Sequence, residues 1–335
     1  MFLYINFPSW IHPQIFPGIK FLGLLRWYGL MYVFAFGTAY LLLKKISREG
    51  MLDGITTDGK NYKITEDDLF SFLGTGILFL LLGARIGSTL IYDRTGIYWH
   101  KPWLIFWPFD GNGNYTGFAG MSYHGGFIGG LLGMIIWCKR HKQPIMRWIE
   151  AMVCCIPLGY TFVRLGNFLN GELYGRVTTM PWGMVFPYAE RFSSSLEWVQ
   201  SFAAKIGMDI SNLKLVNLPR HPSQLYEAFF EGIILWTIIW LCRKHKKFDG
   251  ILAGIYTTGY GFFRFFIEYF REPDEEIGFV IGDKSANIYE NTSLTNFSTG
   301  QLLCFLMILG GILLAVLAYF LSKKKAKNWA LYPIF

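Results

Sequence analysis

Residues 152–175 read MVCCIPLGYTFVRLGNFLNGELYG, and this stretch indicates both the fold and the chemistry of the chain. Its first half, 152–163, is apolar, as in a membrane span. Its second half, 164–175, supplies an arginine, two asparagines, a glutamate and three glycines. An arginine inside a lipid-facing span costs about 2.5 to 3.5 kcal/mol on insertion scales, so it usually faces a wet cavity or a partner. Arg164 is therefore expected to bind a ligand or, as the simpler alternative, to pair with Glu172.

The composition of the whole chain favours a membrane protein. Of its 335 residues, 53% are hydrophobic and 16% are charged, whereas soluble domains carry about 25% charged residues. The formal charge of +8 lies in short clusters between apolar runs. Positive-inside sorting explains such clusters better than nucleic-acid binding, so no nucleic-acid partner is expected. The five cysteines lie in or beside apolar runs without metal-ligand spacing, and we predict no metal and no cofactor.

Apolar runs that approach the length of about 20 residues needed for a membrane helix occur seven times. All clusters of lysine and arginine between them fall on one side, which the positive-inside rule makes cytoplasmic. The predicted fold is an all-α polytopic membrane protein, N-out and C-in, with a single membrane domain over 1–335. The spans are predicted near residues 21–43, 69–92, 118–138, 151–169, 226–242, 250–270 and 300–321.

Two segments are predicted to lie outside the hydrocarbon core. Residues 170–225 mix aromatic, charged and Pro/Gly positions and are long for a loop, which predicts a small external head between the fourth and fifth spans. Residues 93–117 contain Trp99, Trp103 and Trp107 at spacings of four. This spacing predicts a short helix with one aromatic side, and tryptophan favours the headgroup level, so we expect this segment in the membrane interface.

Eight polar side chains in six of the predicted spans fall in the half nearer the outside. At 1.5 Å per residue, Arg164 and Arg264 would lie roughly 8 to 9 Å from the outer ends of their helices, at a common depth. Tyr260, Arg264 and Glu268 recur at i, i+4 and i+8 and form one polar stripe. Arg264 and Glu268 could be only an internal ion pair, but this alternative leaves other arginines without partners. The whole set is Tyr28, Arg85, His124, Arg164, Glu231, Tyr260, Arg264 and Glu268.

Several arginines in a cavity open to the outer lipid favour an anion carried on an apolar molecule. The arginine fork matches phosphate bidentately, so the expected ligand class is an anionic phospholipid. His124 is a candidate general base because histidine titrates near neutrality, although a histidine beside glycines is more often structural. The glycines of HGGFIGG at 124–130 either let helices pack closely or let backbone approach a ligand, and the sequence leaves both alternatives open.

Six stretches along nearly the whole chain resemble one family. RLGNFLNGELYGR at 164–176 resembles the signature of the bacterial prolipoprotein diacylglyceryl transferases. One departure is the stretch NGNYTGFA at 112–119, which is interposed after Asp110 and leaves the path into the third span open. The other matching stretches are RWYGLMY at 26–32, GARIG at 83–87, SYHGGFIGG at 122–130, RHPSQLYEAFFEG at 220–232 and GYGFFRFFIEYFREPD at 259–274.

The resemblance implies a reaction and a set of site residues. Members transfer the diacylglyceryl group of phosphatidylglycerol to the lipobox cysteine of a prolipoprotein signal peptide, forming a thioether and releasing glycerol 1-phosphate. It implies seven helices in the bacterial inner membrane and an outward-facing site next to membrane lipid. Arg164 matches the arginine that binds phosphatidylglycerol, and Arg85 joins it as a substrate-binding candidate. The other matched positions are Tyr28, His124, Asn167, Glu172, Gly175, Tyr260, Arg264 and Glu268.

These residues suggest a hypothesis for the mechanism. Arg164 and Arg264 would neutralise the phosphate as it leaves, and Glu172 and Glu268 would orient the two arginines. Asn167 and Tyr28 would hydrogen-bond polar groups of the lipid, while Gly175 and Tyr260 would line the binding site.

Two other classes of protein stay open at this point. A lipid flippase could use the same arginines, but alternating access usually brings inverted repeats or broken helices, and neither is evident in the sequence. A metal-dependent phosphatidyl transferase should show clustered aspartates, whereas Asp53, Asp110 and Asp249 are scattered.

Overall fold

The computed structural model describes residues 4–18, 25–109, 120–273, 278–290 and 292–331, and its architecture is mainly helical. The chain forms two compact units. The middle unit comprises Tyr40–Met152, and the large unit comprises Met1–Ala39 together with Val153–Phe335. The single membrane domain over 1–335 stays a prediction.

The middle unit is built on helices α2 (Glu66–Ile86) and α4 (Tyr123–Arg140). Thr65 accepts a hydrogen bond from the Asp68 backbone N–H at 3.2 Å, and the Asp68 carboxylate accepts one from the Thr65 N–H at 2.8 Å. This capping box fixes the start of α2, as the sequence TEDD at 65–68 predicts. The elements are α1 (Trp27–Arg48, which begins in the large unit), β2 (Gly54–Ile55), β3 (Asn61–Tyr62), α2 (Glu66–Ile86), a π-helical continuation (Gly87–Tyr92), α3 (Ile97–His100), a 3₁₀ turn (Pro102–Ile105), α4 (Tyr123–Arg140) and α5 (Ile145–Val153).

Glycines bring α2 and α4 into backbone contact. A Cβ on Gly83 or Gly125 would overlap a carbonyl oxygen of the other helix, and a Cβ on Gly129 would overlap the carbonyl oxygen of Phe79. The glycines of HGGFIGG therefore serve close helix packing, one of the two alternatives that the sequence leaves open.

The large unit collects the remaining helices and most of the short strands. Strand β1 pairs with β4 in parallel, whereas β5 with β6 and β7 with β8 are antiparallel, as are β2 and β3 in the middle unit. Its elements are β1 (Ile5–Asn6), α6 (Ile156–Asn170), β4 (Met184–Val185), β5 (Phe192–Ser193), α7 (Glu197–Lys205), β6 (Leu215–Val216), α8 (Ser223–Glu227), a π-helical segment (Ala228–Ile234), α9 (Leu235–Cys242), a 3₁₀ turn (Arg243–His245), α10 (Ile251–Ile267), β7 (Phe279–Ile281), β8 (Phe297–Ser298) and α11 (Thr299–Leu331).

Several of these helices have the length and apolarity of membrane spans. Among the described residues, four helical segments are long and apolar enough to cross a membrane: Trp27–Arg48, Glu66–Tyr92, Ser223–His245 and Thr299–Lys323. If the bent pair α5–α6 is counted as one span, the number is five. Leucines, isoleucines and phenylalanines along α11 are exposed, as on a helix that faces lipid. The protein is therefore a polytopic membrane protein.

The count of seven spans and the N-out, C-in orientation stay predictions. At 1.5 Å per residue, α10 is about 26 Å long and α4 about 27 Å, slightly less than a hydrocarbon core of about 30 Å. The predicted span 151–169 is divided by a 44° bend after Val153, with Pro157 in the first turn of α6. The predicted first and third spans begin within 19–24 and 110–119, outside the described residues.

Residues 170–225 contain their own packed core. Its centre is a cluster of buried side chains to which β5, α7 and β6 contribute. A packed region is what the sequence predicts here, while its place outside the membrane stays a prediction. The cluster consists of Val177, Phe192, Val199, Phe202, Ile206, Val216 and Leu218.

The short helix predicted across the three tryptophans is wrong. The chain forms α3, breaks at Lys101 and resumes as a 3₁₀ turn at Pro102. Proline disfavours helical backbone at the residue before it, and Lys101 accordingly has a φ of −133° and a ψ of 70°. Trp99, Trp103 and Trp107 are nevertheless exposed. Residues 110–117 of the predicted interfacial segment 93–117 lie outside the described residues.

Candidate active site

A fully buried glutamate on α8 holds three arginines together. Glu227 has no exposed side-chain surface. Its carboxylate accepts from Arg264 Nη1 at 2.9 Å and from Arg271 Nη1 at 2.7 Å, and it lies 2.8 Å from Arg164 Nε. A buried charge is stable only when it is paired and hydrogen-bonded, so the three guanidinium groups also keep this carboxylate ionised.

A second carboxylate fixes two of these arginines from α10 and its C-terminal end. Glu268 Oε1 accepts from Arg264 Nε at 2.9 Å and lies 2.9 Å from Arg264 Nη2 and 3.5 Å from Arg271 Nε. The ion pair between Arg264 and Glu268 that the sequence offered as a structural alternative therefore exists, and it is part of a larger assembly. We call this assembly the arginine–glutamate cluster, consisting of Arg164, Arg264, Arg271, Glu227, Glu231 and Glu268.

A tyrosine hydroxyl joins Arg164 to the two glutamates of the fifth predicted span. Tyr160 lies one helical turn before Arg164 on α6, and its oxygen accepts from Arg164 Nε at 2.6 Å. The same hydroxyl lies 2.6 Å from Glu231 Oε2 and 3.1 Å from Glu227 Oε2. Glu231 belongs to the π-helical segment 228–234, and π-helical turns occur frequently at functional sites.

Arg164 reaches Glu172 through an asparagine. Arg164 Nη1 donates to Asn167 Oδ1 at 3.3 Å, and Asn167 Nδ2 donates to Glu172 Oε1 at 3.0 Å. Gly171 caps α6 with a φ of +66°, a left-handed conformation that favours glycine and lets the chain turn back at the helix end. Glu172 therefore positions Arg164 indirectly, through Asn167. The direct ion partner of Arg164 is Glu227.

The arginines keep part of their surface open. The side chains of Arg164, Arg264 and Arg271 are 13%, 15% and 19% exposed, whereas that of Glu227 is 0% exposed. A cavity of about 680 Å³ has Arg271 and Glu172 in its lining, whereas Arg164 and Arg264 do not line it. Arg271 therefore presents a guanidinium group, already held by the cluster, to a space that can receive an anion.

Of the two predicted tyrosines, Tyr260 packs against a residue that contacts this assembly, and Tyr28 contacts a neighbour on its own helix. The ring of Tyr260 packs edge-on against that of Tyr160, with centroids 6.2 Å apart. The hydroxyl of Tyr28 lies 3.1 Å from that of Tyr32 on the same helix. Tyr260 therefore supports the side chain that contacts Arg164.

Gly175 has a backbone role. A Cβ at this position would overlap the carbonyl oxygen of Phe270. Gly175 forms a β-bridge with Arg271, and the N–H of Arg176 donates to Phe270 at 2.9 Å. The absence of a side chain at 175 therefore lets the backbone approach that places Arg271.

Arg85 and His124 belong to the middle unit, whereas the other eight predicted site residues belong to the large unit. His124 is exposed at the start of α4, and its Nδ1 lies 2.9 Å from the Tyr92 hydroxyl. Arg85 is buried and donates to main-chain carbonyls, with Nε 2.5 Å from Ile105 O and Nη1 3.4 Å from Gly120 O. Both residues line a cavity of about 510 Å³.

The sequence prediction missed Tyr160, Glu227 and Arg271 as site residues and gave Glu231 no role. Signals for them were available. Tyr160 precedes Arg164 by four residues, and Glu227 precedes Glu231 by four, so each pair lies on one helix face. Two buried glutamates in an apolar span are as unusual as an arginine there.

The helices and this assembly define an integral membrane protein with a partly open arginine–glutamate site. The family model described as prolipoprotein diacylglyceryl transferase matches residues 18–317. The chain belongs to this family and is therefore an enzyme of the transferase class.

Relatives named phosphatidylglycerol–prolipoprotein diacylglyceryl transferase match almost end to end. The chain is similar to that of Treponema denticola, with 54% identity over 98% of both chains. It is 48% identical to that of Treponema pallidum, over 92% of this chain and 94% of the relative. The Chlorobaculum tepidum protein is 40% identical over 96% of this chain and 94% of its own.

Proposed function

We propose that this protein transfers the diacylglyceryl group of phosphatidylglycerol to the lipobox cysteine of prolipoproteins, forming a thioether and releasing glycerol 1-phosphate. The names of its relatives contain both substrates and the transferred group. The observation in this chain that carries the proposal is the arginine–glutamate cluster, in which three partly exposed arginines share one buried carboxylate. This arrangement suits a phosphodiester on a membrane lipid.

The two arginines on α6 and α10 have the main role in this proposal. Arg164 and Arg264 bind the phosphate and stabilise the charge that develops when its oxygen leaves. Glu227 contacts both guanidinium groups and Glu268 holds that of Arg264 before substrate arrives, so little reorganisation is needed during the reaction. Asn167 and Glu172 set the rotamer of Arg164.

The nucleophile is the thiolate of the lipobox cysteine. Because a free thiol has a pKa near 8.5, a base or a positive field must help to deprotonate it. His124, oriented by its contact with Tyr92, is the candidate base. Arg85 helps to shape the cavity that His124 lines.

The proposed location is the bacterial inner membrane, with the site facing the periplasmic side. Support comes from the apolar helices and from basic clusters that lie together on the other side of the predicted topology. In this orientation the site meets phosphatidylglycerol of the outer leaflet and the signal peptide of a translocated prolipoprotein.

The test uses purified protein, phosphatidylglycerol vesicles and a fluorescent lipobox peptide. Arg164→Ala is expected to lower transfer at least about 100-fold, since removal of one donor that stabilises developing negative charge costs 10²–10³ in rate. Arg191→Ala, at an exposed position of the 170–225 region, serves as the matched control. A peptide with serine in place of the cysteine should accept no lipid. Normal transfer by Arg164→Ala would contradict the proposed role of Arg164 in binding the phosphate.

The names of the relatives give no support to a flippase. The same assay distinguishes the two functions, because a flippase would move labelled lipid between leaflets without modifying peptide. Inhibition by a chelator would revive the metal-dependent alternative.

A further inference from the structure

Glu231 is a buried carboxyl without an ionic partner at hydrogen-bond distance. Its side chain has no exposed surface, and the nearest guanidinium nitrogen, Arg264 Nη1, lies 3.7 Å from Oε1. Within the described part of the chain, Oε1 has no hydrogen-bond partner. Glu227, one turn earlier, takes three arginine contacts. The two glutamates therefore occupy different electrostatic environments although they lie on one helix face.

The hydrogen bonds of Tyr160 indicate which carboxyl holds a proton. Its oxygen accepts from Arg164 Nε, so only the phenolic proton is left to satisfy contacts with two carboxyl groups at 2.6 and 3.1 Å. One phenolic proton could be shared between the two carboxyl groups only in a weaker three-centre bond, whereas two separate hydrogen bonds form if one carboxyl donates. Glu227 is held ionised by its arginines. Glu231 Oε2–H then donates to Tyr160, and Tyr160 donates to Glu227.

The charges of the arginine–glutamate cluster agree with this assignment. If all six side chains were ionised, three arginines and three glutamates would cancel, and a phosphodiester would meet no net positive charge. With Glu231 neutral the six side chains carry one positive charge, which matches the single negative charge of the phosphodiester. Glu172 is exposed, so solvent screens its charge.

Building on the proposed transferase function, we infer that Glu231 is a protonated carboxyl when substrate binds and supplies a proton to the leaving phosphate through Tyr160. The sulfur–carbon bond forms as the carbon–oxygen bond to phosphate breaks, and the phosphate oxygen takes the electron pair. This oxygen receives the Tyr160 proton, and Glu231 replaces it. The proton lost by the thiol then returns to Glu231, so no proton is gained or lost over the cycle. Glu231 acts through Tyr160 and is a positioning residue in this scheme.

Other titratable groups surround Glu231 on the neighbouring elements. They are Arg164 on α6, Arg264 and Tyr260 on α10, Cys304 on α11 and Glu227 on α8.

Glu231→Gln tests the inference because glutamine has the same shape and neutral charge but has no acidic proton. Phosphatidylglycerol affinity is expected to stay within about threefold of wild type. The transfer rate should fall about 100-fold, at the lower end of general acid–base effects. The transfer rate of the wild-type protein should decline toward alkaline pH as Glu231 ionises. The transfer rate of Glu231→Gln should not show this alkaline decline. Glu231→Asp, which keeps a carboxyl group, should again show the alkaline decline of the transfer rate.

Two further variants make the result interpretable. The transfer rate of Tyr160→Phe should fall by a factor similar to that of Glu231→Gln. The double variant should be no slower than either single variant, because both residues act in one proton relay. Glu197→Gln, at an exposed position of α7, is the matched control, and thermal unfolding checks folding. Wild-type rate and pH profile in Glu231→Gln would overturn the relay. Absence of transfer by the wild-type protein would instead overturn the proposed function.

Discussion

At the residue scale, Asn167 has a role that its neighbour Asn170 does not share. Both side-chain amides donate to Glu172 Oε1, but only Asn167 also accepts from Arg164. Asn167→Ala should free the Arg164 rotamer and lower transfer about 10-fold or more, given a net value of 1.5–3 kcal/mol for hydrogen bonds to charged groups. Asn170→Ala should stay within about threefold. Equal losses in the two variants, measured with the peptide assay, would show that Glu172 alone matters.

His221 gives a prediction about stability instead of activity. Burial, with a smaller contribution from Arg176, lowers the pKa of His221 from 6.5 to about 4. The unfolded chain takes up a proton below pH 6.5 and the folded chain only below about 4. Stability is therefore lost as pH falls from 6.5 to 4, by up to about 3 kcal/mol.

Thermal unfolding at pH 7.5 and pH 5 measures this effect. His221→Gln should lose less stability between the two pH values than wild type, while His245→Gln, at an exposed position, should behave like wild type. An unchanged loss in His221→Gln would assign it to other groups.

At the element scale, the contact of α2 with α4 depends on particular glycines. A Cβ on Gly129 would overlap the Phe79 carbonyl oxygen, whereas a Cβ on Gly74 of α2 would have no heavy atom within 4 Å. Gly129→Ala should therefore lower the free energy of unfolding by about 1 to 3 kcal/mol, the usual cost of overpacking. Gly74→Ala should be neutral or stabilising by up to about 1 kcal/mol, through helix propensity. The measurement is unfolding in detergent, and similar effects of both substitutions would contradict the packing.

Periodicity in the sequence predicts single helices better than their partners. The stripe of Tyr260, Arg264 and Glu268 follows from spacing along one helix, and the structure contains the predicted contact between Arg264 and Glu268. Spacing cannot show that Glu227 pairs with Arg264, because the two are separated by 37 residues and meet only through packing of α8 with α10. The break between α5 and α6 could not be predicted from the sequence either, because the apolar run continues through it.

At the scale of the whole molecule, the location of the site depends on the orientation of the chain. Lys60 lies in the loop before α2, on the side of the basic clusters, and Ser211 lies in the 170–225 region, and both are exposed. If the chain is N-out and C-in, Ser211→Cys should react with a membrane-impermeant thiol reagent in intact spheroplasts. Lys60→Cys should react only after permeabilisation.

The native cysteines should contribute little background to this labelling experiment. Cys138, Cys154, Cys155 and Cys304 are buried, and Cys242 is partly buried. The unsubstituted protein measures their background. The orientation matters for the proposed transfer, because in the proposed topology the lipid and a translocated signal peptide meet on the periplasmic side. The reverse labelling pattern would place 170–225 in the cytoplasm, and the arginine–glutamate cluster would then have to draw its lipid from the inner leaflet.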